Sequence, residues 1–310
     1  VGRQNIKDPI HQEIDVIPHK VEQFLDQRDR DKPFCLSISL KAPHGPWADY
    51  PDEVRELFHG VEMPVKASVN ADHAASRPKF LQDSLVNRER GARYAAETGV
   101  NSFVQGEMRD YYRLVAALDL GMGKILDLLE KHGVQGDTVI IFTSDHGHFL
   151  GEHGFDGKWL LYEESIHIPL IIADPRHPVE NQTSDALVTL IDMAPTMLDL
   201  GDVEIPSGMQ GQSLRPLLSD PARAFRDVVF LEHLYRHGPA PPTRIEPSEG
   251  VRARDWKYIN YVDQKGPPAE ELYDLARDPL EMNDVAQDPK HADQLDKMRA
   301  EWENLRAQLK

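Results

Sequence analysis

Three residues in one short stretch, Asp145, His146 and Lys158, carry the types and spacing that chemistry needs. They lie in Thr143-Ser144-Asp145-His146-Gly147, followed by Gly151-Glu152-His153-Gly154 and Gly157-Lys158. A carboxylate oxygen and an imidazole nitrogen on neighbouring residues can both reach one divalent cation. An ammonium group delivered to the same loop suits an anionic substrate, and the glycines let backbone approach a ligand closely. The plainer alternative is that Asp145 caps a turn, His146 packs against its neighbours and Lys158 is solvated. A second candidate is His44, inside Lys41-Ala42-Pro43-His44-Gly45-Pro46-Trp47. Two prolines and a glycine exclude regular structure there and brace an imidazole for proton transfer, or leave a surface-loop histidine. Trp47 can offer a face to a sugar ring or simply pack. Tyr235, Arg236 and His237 precede a proline-rich loop at 238–247 and can line a pocket mouth, with an exposed Arg236 as the alternative.

The elements around these residues must hold them. Thr138 to Phe142 is a β-branched run between Gly136-Asp137 and the glycine-rich loop, so it reads as a buried strand. In open α/β sheets ligands bind beyond the carboxyl ends of such strands. Before it, Tyr111, Val115, Leu118, Met122, Ile125 and Leu129 recur at helical steps, predicting a helix over 104–132 that Gly133 stops. Pro18 opens an earlier helix with Val21, Phe24 and Leu25 on its stripe. Residues 34–40 alternate like a strand, with Cys35 as a small core residue. Residues 60–100 read as a surface insertion. Ile168 to Ala173 reads as another buried strand, Leu187 to Leu190 as a further one, and Asp192 caps a helix through Met197 and Leu198. This alternation predicts a parallel sheet covered on both faces. After Pro221 the pattern changes to short strands at 228–231, 250–253 and 256–261. The last two are joined tightly by Arg254-Asp255, and a helix from about His291 carries Leu295, Met298, Trp302 and Leu305 on one stripe.

The chain has 310 residues, 40% hydrophobic content and a formal net charge of −17. That length allows one large domain or a large and a small one. The negative charge argues against a nucleic-acid-binding surface, which needs clustered Lys and Arg, and obliges any anionic ligand to meet a locally positive pocket. No apolar stretch is long enough to span a bilayer. The single cysteine, Cys35, excludes an internal disulfide.

Taken together, these motifs resemble the sulfatases, members of the alkaline phosphatase superfamily. The loop Lys41 to Pro46 after a strand is similar to a conserved sulfatase loop. Ser144-Asp145-His146-Gly147, Gly151-Glu152-His153-Gly154, Gly157-Lys158 and Tyr162-Glu163-Glu164-Ser165 are similar to the second half of the sulfatase site in order and spacing. Glu271-Leu272-Tyr273-Asp274-Leu275, with Asp278-Pro279-Leu280-Glu281-Met282-Asn283, looks like the closing signature of the family. The resemblance implies an α/β fold: an alkaline-phosphatase-like sheet flanked by helices, with a small C-terminal α+β subdomain of antiparallel strands plus a helix. It implies a catalytic domain over 1–222 and the subdomain over 223–310. By the same resemblance Asp145 and His146 bind the metal, calcium in this family, although other divalent ions remain open because calcium prefers oxygen ligands. Lys158 bridges to the sulfate oxygens, His44 donates a proton to the leaving oxygen, and Trp47 and His153 join His44 and Lys158 in binding substrate. The expected partner is a sulfated small molecule or glycan, and the expected setting is periplasmic or extracellular.

The family nucleophile is a formylglycine made within a Cys/Ser-x-Pro-x-Arg motif near the N-terminus, and no such motif occurs ahead of the Asp145 loop in this sequence. The chain therefore resembles the later two-thirds of a sulfatase. It is expected to hydrolyse no aryl sulfate alone and to bind calcium weakly. Two other readings stand beside this one: a phosphodiesterase or phosphonate monoester hydrolase of the same superfamily, and a non-catalytic protein that binds sulfated glycans.

Overall fold

The computed structural model describes residues 11–69, 77–82, 99, 102–177, 182–234, 245–262 and 269–309. Tyr235, Arg236, His237 and most of the proline-rich loop lie outside them, as does part of the expected insertion at 60–100. The described residues fall into two compact units. One draws on 1–65, 96–140 and 173–178, the other on 66–95, 141–172 and 179–310. The boundary expected near residue 222 lies inside the second of these.

The first unit is built on two helices, α1 (Ile17–Gln27) and α2 (Phe103–Lys131). Pro18 sits in the first turn of α1, and Val21 and Leu25 are buried against Ile125 and Leu129. Ser102 caps α2 by accepting from the Gln105 amide at 3.2 Å. Past its end the Gly133 amide donates to Glu130 and the Val134 amide to Leu129, so the expected glycine stop forms. The buried stripe of α2 runs through Leu114, Ala117, Ile125 and Leu129, one position off the predicted face in its first half, so that Val115 is exposed. The reason is a close approach: a Cβ on Gly121 would lie 2.5 Å from the Glu13 carbonyl oxygen. Small residues therefore face the segment packed there.

No strand forms at 34–40, contrary to the alternating pattern, and Cys35 is exposed instead of in the core. Alternation shows only that a segment can be a strand, whereas ladder hydrogen bonds to a neighbour make it one. The loop that follows is anchored from behind. Glu13 accepts from the Lys41 and Ala42 amides at 3.2 and 3.0 Å, and Trp47 packs edge-to-face on Tyr111 of α2 at 5.6 Å.

Strand β1 (Ile140–Thr143) pairs with β4 (Leu170–Ala173), and in the second unit β2 (Phe149–Leu150) pairs antiparallel with β3 (Asp156–Gly157). Strand β4 is half-buried, with Ile171 61% exposed, where a fully buried strand was expected. Residues 187–189 form no strand. A short helix, α3 (Glu163–Ile166), follows β3, and α4 (Met193–Leu200) and α5 (Arg215–Ser219) come later. Asp192 precedes α4 as expected, but its side chain does not cap that helix. It closes a capping box with Thr189 and binds Arg226 through both oxygens at 2.7 and 2.8 Å.

Strands β5 (Val228–His233), β6 (Ser248–Ala253), β7 (Trp256–Tyr261) and β8 (Ala269–Asp274) make an antiparallel sheet in that order. The Arg254-Asp255 hairpin expected from sequence joins β6 to β7. The 2-residue side-chain period sends alternate residues to opposite faces. Val251, Tyr258 and Leu272 meet Leu295 and Met298 of α6 (Ala292–Gln308), with Trp302 and Leu305 packed alongside. Ile259, Tyr261 and Tyr273 form the other face, against Phe149, Phe155, Leu160, Leu161 and Tyr162. The β2–β3 ribbon, too short to stand alone, is thus held by a sheet buried on both faces.

Candidate functional site

The loop 144–148 leaves the end of β1 and is pinned at Gly147. The Gly147 amide donates to the Ser165 carbonyl at 2.8 Å. A Cβ there would lie 2.1 Å from the Glu164 carbonyl oxygen, so only glycine allows the loop to sit this close to α3. Within the loop, Asp145 Oδ1 accepts from the His146 amide at 3.0 Å, and the Asp145 side chain is 82% exposed. The His146 ring bonds the Gly147 carbonyl through Nδ1 at 2.7 Å and Lys158 Nζ through Nε2 at 2.7 Å. Lysine only donates, so Nε2 accepts and Nδ1 carries the ring hydrogen. The structure therefore brings Asp145, His146 and Lys158 together. Lys158 arrives from the end of β3, followed by Trp159 at a φ of 84°, a strained value for a residue other than glycine.

Behind the β2–β3 ribbon lies a buried polar network that sequence reasoning missed. His153, expected to bind substrate, has no exposed surface. Its Nδ1 accepts from Arg77 at 2.7 Å, its Nε2 donates to Glu164 at 3.3 Å, and its ring stacks on Tyr162 at 4.9 Å. Its place is inside the platform, not on a ligand-facing wall. Burial, joined by the nearby Arg77 charge, holds the His153 pKa below its usual value, so the ring stays neutral. Burial alone would raise Glu164, but the His153 hydrogen bond, with a backbone hydrogen bond and Lys66, outweighs it and holds the carboxyl at about 2.

A second set of charges fixes the start of α3. Glu281 accepts from the Glu163 amide at 2.7 Å and pairs with Lys257, which also binds Glu163 at 3.0 Å. Lys257 and Glu281 are fully buried, and that burial lifts Glu281 to about 7 despite the lysine. Glu271, also fully buried, accepts from Tyr162 at 2.6 Å and Tyr261 at 3.1 Å. The sequence did signal these carboxylates, since Glu164, Glu271 and Glu281 stand inside the quoted motifs. Arg77 carried no such signal.

His44 and Trp47 belong to the other compact unit. His44 is exposed, its amide donating to the Lys41 carbonyl and its Nδ1 2.9 Å from the Gly45 oxygen. Trp47 is half-buried, with its ring edge-to-face on Tyr111.

The fit to a divalent cation can be judged from the donors. Asp145 Oδ2 and His146 Nε2 lie 3.4 Å apart. Two ligands at right angles around an ion with bonds of about 2.4 Å stand about 3.4 Å apart, so the pair fits as two donors to one ion. Among the described residues no group of three or more His, Cys, Asp or Glu could hold a metal, so the pair is not a complete site. No helix of the described residues is long and apolar enough to cross a membrane.

Comparison with known proteins gives these geometries a context. The sulfatase family profile matches residues 4–203, and the profile described as N-sulphoglucosamine sulphohydrolase, C-terminal, matches residues 151–308. An N-acetylglucosamine-6-O-sulfatase of Bacteroides thetaiotaomicron is 32% identical, covering 87% of this chain and 57% of that protein. A solved structure in complex with its substrate D-glucosamine-2-N,6-O-disulfate superposes with a TM-score of 0.78 at 28% identity, over 94% of this chain and 69% of that one. The phosphonate monoester hydrolase of Agrobacterium radiobacter superposes with a TM-score of 0.69 at 26% identity, over 94% of this chain and 60% of that one. The chain spans about half the length of the curated relatives it matches, 57%, 54% and 51% for three of them.

Proposed function

Because the chain belongs to the sulfatase family, we propose that it carries the anion-binding half of a sulfuric ester hydrolase acting on sulfated glycans. The observation that carries this reading is the meeting of Lys158 with Asp145 and His146, on a loop and a ribbon both locked to one buried platform. Hydrolysis of a sulfate ester breaks the S–O bond to the alcohol and leaves negative charge on the departing oxygen and on the sulfuryl oxygens. An ammonium group held in place counters the charge on those oxygens, which is the role assigned to Lys158. His44 is assigned proton donation to the departing oxygen, which needs an imidazole on a rigid loop. Asp145 and His146 are the residues assigned to a divalent cation, calcium by family; bound there, it would polarise a sulfuryl oxygen. Trp47 is left as a candidate sugar contact from its position on the His44 loop. His153 is assigned to positioning the Lys158 ribbon. Residues 1–222 as catalytic portion, 223–310 as α+β subdomain and a periplasmic or extracellular setting complete the proposal, by resemblance to bacterial sulfatases.

The substrate class follows the relatives. A curated relative is named as an N-acetylglucosamine-6-O-sulfatase, and a similar solved structure holds a disulfated glucosamine as its substrate. A 6-O-sulfated glucosamine is therefore the first ligand to test. With calcium present, calorimetry of the chain should show binding of glucosamine-6-sulfate that weakens at least about tenfold in Lys158→Ala, since an ammonium–sulfate contact is charge-assisted. Equal affinity for the unsulfated sugar would overturn the reading. Tighter binding of a phosphonate monoester would favour the second reading, which the similarity to a phosphonate monoester hydrolase supports. With no Cys/Ser-x-Pro-x-Arg motif ahead of the Asp145 loop, the chain alone is expected to turn over no aryl sulfate. Turnover abolished by Lys158→Ala would contradict that.

A further inference from the structure

His146 has one lone pair to offer, and two claimants face it. Its Nδ1 hydrogen goes to the Gly147 carbonyl, which leaves Nε2 as the single acceptor of a neutral ring. Lys158 Nζ sits 2.7 Å from Nε2. Asp145 Oδ2 lies 3.4 Å from the same nitrogen, at the spacing of two donors on one cation. The ring is not free to offer its other edge, because a flip would forfeit the Gly147 bond. Gly147 itself is fixed by Ser165 at 2.8 Å.

We infer that Lys158 and a divalent cation compete for Nε2 of His146, so that cation binding releases Lys158 for an anionic ligand. A nitrogen lone pair in the ring plane cannot accept a hydrogen bond and bind a metal at once. The lysine is thus a latch: tethered without the cation, and free to turn its N–H groups to a sulfuryl oxygen once the cation has taken the imidazole. The binding order follows, with cation before sulfate ester. This inference rests on the reading of Asp145 and His146 as cation donors. It also separates histidine from asparagine at position 146. An amide oxygen has two lone pairs and can serve a cation and a lysine together.

Calcium titration by calorimetry of the 310-residue chain and four variants tests the latch. Asp145→Ala should remove calcium binding. Lys158→Met should tighten it by about tenfold or more, the worth of a hydrogen bond from a charged donor. On a His146→Asn background the same Lys158→Met change should tighten it far less. A second readout is the reactivity of Lys158 toward acetic anhydride, mapped by mass spectrometry, which should rise several-fold when calcium is added to the unmodified sequence. Equal tightening on both backgrounds would mean charge repulsion alone and would overturn the inference, as would a Lys158 reactivity indifferent to calcium. Calcium binding that needs Asp145 but ignores Lys158→Met defeats the latch alone. Binding that survives Asp145→Ala, or no binding by any version, defeats the donor reading as well.

Discussion

At the scale of single residues, what matters is how tightly each polar atom is committed. His146 has both ring nitrogens engaged, and Lys158 is held in contact with it. Gly147 is the least replaceable residue of the loop. A methyl group at that position would have to displace backbone, since the nearest atom is the Glu164 carbonyl oxygen at 2.1 Å. Gly147→Ala should destabilise the chain by about 1–3 kcal/mol, the usual cost of overpacking, read as a lower urea midpoint at unchanged slope. A stability equal to that of the parent would show that the loop is free to move off α3. The types and spacing of Asp145, His146 and Lys158 were legible in the sequence. The burial of His153 was not, because a histidine between two glycines looks the same whether it faces a ligand or a core.

At the scale of elements, α3 ties the site loop to the ribbon. It offers Ser165 to Gly147 and Glu164 to His153 and Lys66. The pH dependence of stability follows from Glu164. Its carboxyl titrates at about 2 when folded, against an ordinary 4.5, so the unfolded chain binds the proton more readily. The stability it contributes is complete above about pH 4.5 and is lost as pH falls toward 2. Denaturation midpoints of Glu164→Gln should therefore fall less steeply than those of the parent between pH 5 and 3; parallel slopes would contradict the assignment. Farther from the site, Met298 of α6 is buried against the sheet. Met298→Ala should cost about 2–5 kcal/mol by thermal or urea unfolding, and a loss under 1 kcal/mol would mean the helix is not clamped to β6–β8. The α6 stripe and the β6–β7 hairpin were readable because period and turn chemistry are local. Strand 34–40 and the face of α2 were misread, because each depended on what the rest of the chain placed beside it.

For the molecule as a whole, the net charge of −17 opposes the ligand class the site is proposed to take. Long-range repulsion is screened once the Debye length falls to about 10 Å at 0.1 M salt, whereas the short contact to Lys158 is affected less. The association rate of a polysulfated oligosaccharide should therefore rise between about 0.01 and 0.1 M salt, followed by stopped-flow fluorescence. A rate that falls over this range would point to a positive surface that the composition does not suggest.

The sequence by itself determined the family, the α/β character, the C-terminal strands with their helix and the residues that carry charge to the site. Motif order, side-chain period and turn residues are written in neighbouring positions and need no distant partner to be read. Only the tertiary structure decided which charges are spent inside. Arg77, Lys257, Glu271 and Glu281 are buried and paired across the second unit, and His153 works beside them as a strut. The cost of burying a charge depends on partners distant in the chain, here as far apart as Arg77 and Glu271. That same dependence set Lys158 against His146. Residue types and spacing suggested an ammonium and an imidazole acting side by side, and folding made one the hydrogen-bond partner of the other.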